Sequence, residues 1–153
     1  MKTLAEPRVV VDLVTRLERV GPDSERRWGT LTAAEMLCHL ADCSRSLLGA
    51  TTRSQPVRAN GRPVLKWIAL ASPIPWPKGR IRTRPEVDPR AGGSRPQLFE
   101  SDRARAIEGV RALAGAAASA FPTTHFMFGA MTPRDWRRWG YLHTDHHLRQ
   151  FGV

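Results

Sequence analysis

Apolar residues recur at the spacing of an α-helix in four long stretches of this 153-residue sequence. The stretches cover residues 7–20, 32–48, about 101–120 and 133–150. No segment of the chain shows the alternation of apolar and polar residues that is typical of a half-buried strand. A chain of amphipathic helices buries its apolar faces by packing helix against helix. We therefore predict an all-α four-helix bundle.

Local signals predict where these helices begin and end. Pro7 lies in the first turn of the first helix, and Gly21 follows its last residue. Thr32 with Glu35 forms a capping box at the start of the second helix. A Thr132-Pro133 pair opens the last helix as N-cap and first helical residue. Pro122 is expected to end the third long helix, which begins near Ser101 or Asp102 and extends to Ala120.

The segment between the second and third long helices is rich in proline and arginine. A short helix is expected over residues 64–71, and the prolines after it forbid regular structure: residues 73, 75, 77, 85, 89 and 96. We predict a long irregular loop over 72–98, of the kind that is often functional or mobile. The sequence contains no repeat and no domain boundary, so residues 1–153 are predicted to form a single domain.

Three of the five histidines lie in the last predicted helix, as His143, His146 and His147. His143 and His147 are four residues apart and therefore lie on one face, one turn from each other. Two imidazoles placed in this way can bind one metal ion, although ordinary core packing would produce the same spacing. His146 points about 100° away from His147 around the helix axis, so it is either exposed or helps to orient a substrate. A metal-ligand role is the less favoured alternative, since His146 lies three residues after His143.

His39 is the candidate for a third metal ligand. It lies three residues after Met36 and four before Cys43, on the apolar face of the second helix. A single histidine at such a position is more often a core residue whose ring is bonded to a backbone carbonyl. Combined with an inward-facing pair on another core helix, His39 instead favours a metal site inside the bundle.

The formal net charge of +10 raises the question of nucleic-acid binding. The charge is nearly all arginine and is dispersed along the chain. Its densest run, between Lys78 and Arg95, lies on the proline- and glycine-rich loop and lacks the interleaved aromatic residues of an RNA-binding surface. We therefore expect no specific nucleic-acid binding, and expect this loop to be solvated or to attract a small anion.

The cysteines and the apolar runs indicate the compartment. Cys38 and Cys43 are the only cysteines, and their spacing places them about 140° apart on a helix, so they cannot pair with each other. No run approaches the roughly 18 apolar residues of a membrane span, and the N-terminal residues lack the apolar core of a signal peptide, so we expect no secretion. We expect a protein of the reducing cytoplasm, with no membrane association.

Two blocks of the sequence resemble the DinB-like bundle proteins. The first is Trp28-Gly-Thr-Leu-Thr-Ala-Ala-Glu-Met-Leu-Cys-His39-Leu-Ala-Asp42. The second is His125-Phe-Met-Phe-Gly-Ala-Met-Thr-Pro-Arg-Asp-Trp136, followed by His143-Thr-Asp-His-His-Leu-Arg-Gln-Phe-Gly152. The second block is similar to an uncharacterised branch of that superfamily, the DUF1569-type proteins. The resemblance is close over about residues 25–50 and 123–153.

The resemblance implies a four-helix bundle that binds a divalent metal through His39, His143 and His147. Zinc is the default ion for three histidines, with nickel, iron(II) and manganese as alternatives. Superfamily members of known activity include S-transferases and isomerases that use mycothiol, bacillithiol or glutathione. By analogy, we expect a small substrate, with an anionic one as a candidate, a low-molecular-weight thiol as co-substrate, and a homodimer.

Further side chains are candidates to support this site. Asp42 and Gln150 could fix the tautomer of a ligating histidine, and surface or capping roles are the alternative. Cys43 could bind the metal as a soft ligand, although filling space in the core is the commoner role of such a cysteine. His125 is expected to support the structure, and Trp136 and Trp139 are expected to lie in the core.

Two classes of function follow from these features. The first is a metal-dependent transferase or hydrolase that acts on a small molecule, with the arginine-rich loop attracting an anionic substrate or thiol. The second is a non-catalytic, stress-linked metal-binding module whose arginines contact nucleic acid or an acidic partner. An apolar pocket that opens onto the three histidines would favour the first class.

Overall fold

The computed structural model describes residues 1–49, 63–79 and 83–153. Five α-helices and one two-stranded antiparallel hairpin lie in these ranges: α1 Pro7–Glu18, α2 Ala33–Leu47, α3 Pro63–Leu70, α4 Phe99–Gly115, β1 Thr124–His125, β2 Gly129–Ala130 and α5 Pro133–Gln150. Short 3-10 helices are formed by Pro85–Val87 and Ala118–Ala120, so Pro85 begins a helical turn where the sequence predicted no regular structure. The prediction of a mostly helical chain is confirmed. Residues 50–62, and Arg80 and Arg82 of the predicted basic run, lie outside the described residues. The described residues between α3 and α4, 71–79 and 83–98, are called the central loop.

The long helices pack around a common apolar core. α4 contacts α1, α2 and α5, while α5 also contacts α1 and α2. Leu13, Leu17, Met36, Leu37 and Leu148 are completely buried at the centre. None of the helices in the described ranges is both long and apolar enough to cross a membrane.

The sequence misplaced both ends of α4 and missed the hairpin. α4 begins at Phe99 and ends at Gly115, so residues 116–120, predicted as helix, lie outside it. Ala117 to Ala120 are exposed, and helical propensity alone contributes little where no apolar face is buried. The hairpin has only two residues in each strand, too few for an alternating pattern, and its turn ends at Gly129 with φ 72°.

The capping box at the start of α2 also holds the central loop. Thr32 accepts a hydrogen bond from the Glu35 amide at 3.2 Å, and the Glu35 carboxylate accepts one from the Thr32 amide at 2.8 Å. Arg90 donates to both oxygens of the same carboxylate, at 2.8 and 2.6 Å. Arg90, supported by the capping box, lowers the pKa of Glu35 to about 2, so the ion pair persists to low pH. The loop around residue 90 is thereby fixed against α2.

A second capping box, at the start of α5, is bonded to a side chain of α3. Thr132 and Asp135 form a second capping box. Lys66 of α3 donates to the Asp135 carboxylate at 2.7 Å and to the Ala130 carbonyl at 2.8 Å. These bonds place α3 beside the hairpin and the first turn of α5.

Close packing of α4 on α2 depends on Gly109. A Cβ atom at this position would lie 2.8 Å from Ser44 Oγ and 2.9 Å from Ser44 Cβ. Ser44 is itself buried and donates its hydroxyl to the Leu40 carbonyl at 3.0 Å, so it has little freedom to move. The separation of the two helices is therefore set by the absence of a side chain at residue 109.

We expect Gly109→Ala to lower the free energy of unfolding by about 1–3 kcal/mol, the usual cost of overpacking a core. Urea unfolding followed by far-ultraviolet circular dichroism measures this change. Gly115→Ala is the matched control, because no atom lies within 4 Å of the Cβ position there. The control should leave stability unchanged or raise it by up to about 1 kcal/mol. Equal effects of the two substitutions would contradict the proposed role of the contact with Ser44.

Candidate metal centre

The structure brings His39 of α2 together with His143 and His147 of α5. The ring centroids are 5.1 Å apart for His39 and His143, 4.9 Å for His39 and His147, and 4.8 Å for His143 and His147. The Nε2 atoms of His39 and His143 lie 3.2 Å apart. Three imidazoles from two helices therefore converge on one small region.

Hydrogen bonds fix the tautomers of two of these rings. His39 Nδ1 lies 2.7 Å from the Val87 carbonyl, which can only accept, so Nδ1 carries the proton. His147 Nδ1 lies 2.9 Å from Gln150 Oε1, and Gln150 Nε2 in turn donates to the Trp28 carbonyl at 2.7 Å. The orientation of the Gln150 amide thus makes His147 Nδ1 the donor. In both rings Nε2 is left with its lone pair.

The separation of the nitrogens fits a shared metal ion. Two nitrogens that each lie about 2.1 Å from a tetrahedral ion are about 3.4 Å apart. The observed separation of His39 and His143 Nε2 is close to this value. The His143 ring also stacks on Trp139, with centroids 4.6 Å apart and an interplanar angle of 13°, which holds the ring plane. The spacing of the His39 and His143 nitrogens therefore suits a shared divalent metal ion.

Burial keeps the three imidazoles in the form that binds metal. Removal from water lowers the pKa of His39, and lowers those of His143 and His147 well below the usual value. The neighbouring imidazoles lower the pKa of His143 and His147 further, because adjacent positive charges would repel. A neutral imidazole is the ligating form, so these rings need not lose a proton before they bind an ion.

Cys43 also lies at this site. Its Sγ is 3.6 Å from His39 Nε2. His39, Cys43 and His143 offer ligand atoms that all lie within 4.8 Å of one another, and they form a group able to hold a metal ion. Burial raises the pKa of the Cys43 thiol to about 12. The sequence predicted that Cys43 fills space in the core, with a metal-ligand role as the alternative. The approach of its sulfur to the His39 ring follows from its position one helical turn after His39.

Asp42 was a candidate to orient a ligating histidine, but the group that contacts the His39 ring is the Val87 carbonyl. The Asp42 carboxylate accepts from the Ser94 amide at 2.6 Å, from the Ser94 hydroxyl at 2.8 Å and from Arg45 at 2.6 Å. These bonds satisfy the carboxylate away from the histidine rings. Asp42 therefore holds the central loop, while the Val87 carbonyl from that loop is the partner of His39.

A cavity of about 450 Å³ opens onto the histidines. Aromatic side chains form much of its wall, including Trp28, Trp76, Trp139 and Phe126. His146 also borders the cavity, with its centroid 5.8 Å from Trp28 and 6.1 Å from Trp76. The volume is in the range of small-molecule sites, and a mostly apolar wall with a few polar groups is typical of them.

Several residues of the cavity were not predicted as functional. Trp139 was expected in the core with Trp136, yet Trp139 stacks on His143 and borders the cavity, whereas Trp136 is buried. His125, expected as structural support, is buried and stacks on Phe128, and it also lines the cavity. Trp76 and Val87 come from the irregular loop, where the sequence has no periodic signal that could identify them.

The sequence model of the DinB superfamily matches residues 12–151, which is nearly the whole chain. No curated protein and no solved structure gives a significant match to this sequence.

Replacing Gln150 with Leu is expected to weaken zinc binding about 10- to 100-fold, the usual cost of losing a partner that orients a ligating histidine. Competition with a chromogenic chelator measures the affinity. Arg149→Gln is the control, because Arg149 is exposed and pairs with Asp145 outside the cavity.

Gly29→Ala tests the same orienting bond without removing Gln150. Gly29 has φ +75°, and a Cβ there would lie 2.5 Å from Gln150 Nε2, so the amide must move. We expect weaker zinc binding in this variant as well. Wild-type affinity in both Gln150→Leu and Gly29→Ala would show that the bond does not orient His147.

Proposed function

Because this chain belongs to the DinB superfamily, we propose that its three converging histidines hold a divalent metal ion at the end of a small-molecule cavity. The ligands in this proposal are His39, His143 and His147. The observation that carries it is the pair of fixed tautomers, which leave the Nε2 lone pairs of His39 and His147 free. Zinc is the ion we expect, with nickel, iron(II) and manganese as alternatives.

We further propose that this site is catalytic. Three neutral ligands leave at least one coordination position open, as in catalytic metal sites, and the histidines border the cavity. A divalent ion bound there supplies Lewis acidity and lowers the pKa of a bound water or thiol. The chain's own contribution is to fix the rings through Val87 and Gln150 and to exclude bulk water with the aromatic wall.

The reaction we favour is transfer of a low-molecular-weight thiol, such as mycothiol, bacillithiol or glutathione, to a small molecule. The sulfur would form a bond to an electrophilic carbon, the bond from that carbon to its leaving group would break, and the thiol proton would pass to solvent. Support comes from membership of the superfamily and from the cavity. We also propose that the chain belongs to the DUF1569-type branch, and that α1, α2, α4 and α5 form the bundle.

The free cysteines Cys38 and Cys43 fit a reducing compartment, and we propose a cytoplasmic location on that ground.

One observation favours a non-catalytic alternative. With Cys43 as a fourth ligand, the site would have the closed donor set of a structural metal centre. Binding of nucleic acid through the arginines is less well supported. Arg16, Arg45 and Arg90 are paired with carboxylates of the same chain, which reduces the charge available for phosphates.

We expect purified protein to contain close to one equivalent of metal and His143→Ala to lose most of it, because this substitution removes one of the three proposed ligands. Inductively coupled plasma mass spectrometry gives the metal content. His125→Ala is the matched histidine control, since His125 borders the cavity from β1 and is expected to leave the metal content unchanged. Unchanged metal content in His143→Ala would refute the ligand assignment.

Cobalt substitution distinguishes a site with an open coordination position from one in which Cys43 is the fourth ligand. A thiolate ligand produces a sulfur-to-cobalt charge-transfer band in the near ultraviolet, whereas three imidazoles do not. We expect the cobalt protein to lack this band and Cys43→Ser to retain its metal. A band that disappears in Cys43→Ser would favour the structural, non-catalytic alternative.

The thiol reaction is tested with zinc-loaded protein, 1-chloro-2,4-dinitrobenzene and each of the three thiols. We expect the coloured thioether to form with at least one thiol, and the enzymatic rate to disappear in His143→Ala and after chelation. No acceleration with any of the thiols would contradict the transferase proposal, while the metal content would still report on the ligand assignment.

A further inference from the structure

The charge of the cavity wall is unbalanced. Arg84 is the one charged side chain among the described residues that line it, and none of these residues is Asp or Glu. Arg84 donates to the Ser46 hydroxyl at 3.3 Å and forms no ion pair within the described part of the chain. A guanidinium is always protonated at physiological pH. The cavity therefore carries a positive charge that no side chain of its described wall neutralises.

A second polar group lies beside this guanidinium. The Arg84 guanidinium carbon lies 5.6 Å from the centre of the Phe126 ring, and the His125 ring stacks on that same ring with centroids 4.5 Å apart. Arg84 is also close enough for its charge to lower the pKa of His125. Arg84 and His125 thus meet at Phe126, on one part of the cavity wall.

The hydrogen bonding of His125 makes it a donor towards the cavity. The Met127 amide donates to His125 Nδ1 at 3.1 Å, so the ring proton is on Nε2. Within the described residues Nε2 has no hydrogen-bond partner, and the His125 ring lines the cavity. Burial, with a smaller effect from Arg84, lowers the pKa of His125 to about 4, so the ring remains a neutral donor.

The rest of the cavity wall indicates what kind of molecule the cavity suits. Trp28, Trp76 and Trp139 face the cavity together with Ile68 and Ile74, so most of the surface is aromatic or aliphatic. Flat apolar rings gain most from such a wall, because aromatic pairs stack favourably in addition to losing contact with water. A planar carboxylate also matches the fork of a single arginine, whereas a phosphate dianion would need more cationic donors than the described part of the wall offers.

We propose that the cavity binds an aromatic molecule with one carboxylate, which pairs with Arg84 and accepts a hydrogen bond from His125 Nε2. The inference rests on the proposed function in one respect, since it names the substrate class of the proposed metal enzyme. The site for the carboxylate is built from Arg84 and His125, neither of which is a proposed metal ligand. Binding can therefore be measured with and without metal.

The test compares 2-naphthoate with 2-naphthamide, which share the same ring system and differ in charge. Isothermal titration calorimetry is performed on the full chain as purified and after treatment with EDTA. We expect 2-naphthoate to bind at least about tenfold more tightly than 2-naphthamide in both preparations, since a change of about 10- to 100-fold corresponds to about 1.4–2.8 kcal/mol, the usual contribution of a charge-assisted hydrogen bond. Retention of the preference in EDTA excludes direct binding of the carboxylate to metal as its cause.

Arg84→Met is expected to weaken 2-naphthoate binding by about 10- to 100-fold and to change 2-naphthamide binding by less than about twofold. Arg95→Met is the matched control, because Arg95 is exposed on the same loop and does not line the cavity. His125→Phe keeps the stacked ring and removes the donor, so we expect weaker binding of both ligands, each of which presents a carbonyl oxygen.

Equal affinity of the wild-type protein for the two ligands would overturn the proposal, even if Arg84→Met failed to fold. An unchanged preference in folded Arg84→Met would also overturn it. The outcome is separable from that of the proposed function. A preference for 2-naphthoate in a protein that binds no metal would support this site and refute the metal enzyme, whereas bound metal without any preference would do the reverse.

Discussion

The hydrogen bond from His39 Nδ1 to the Val87 carbonyl is the contact on which the candidate site depends. It fixes the tautomer of a buried ring on α2, and its acceptor lies far away in sequence, in the irregular loop. The loop can supply this carbonyl because Arg90 is bound to Glu35 and Ser94 is bound to Asp42. Two ion-paired carboxylates of α2 thus position the backbone group that orients its histidine.

Each histidine of the cluster is held by a contact of a different kind. A backbone carbonyl orients His39, a side-chain amide orients His147, and a stacked indole holds the plane of His143. The amide is in turn fixed by the Trp28 carbonyl, which joins the segment before α2 to the end of α5. The geometry of the rings therefore requires the loop, both helices and the segment before α2 to be in place together.

The sequence predicted those parts of the molecule that local chemistry determines. Capping residues identified the start of α2 and of α5, and helical spacing placed His39, His143 and His147 on inward faces. The end of α4 was misplaced because alanines favour a helix whether or not a core exists to bury them. Val87, Trp76 and Arg84 could not be assigned roles, because their contacts join the loop to distant elements and leave no periodic pattern.

Burial in an apolar cavity affects both of its polar parts, the histidine cluster and Arg84. Burial makes the imidazoles neutral, so they can donate lone pairs to a cation but cannot compensate its charge or that of Arg84. Since the described wall contains no carboxylate, the positive charge of a bound ion would add to that of the guanidinium. In the site without a Cys43 thiolate, an anionic group on the ligand is the means of compensation inside an apolar cavity, where an unpaired charge is costly. The residues that suit the histidines to metal therefore also favour a negatively charged substrate.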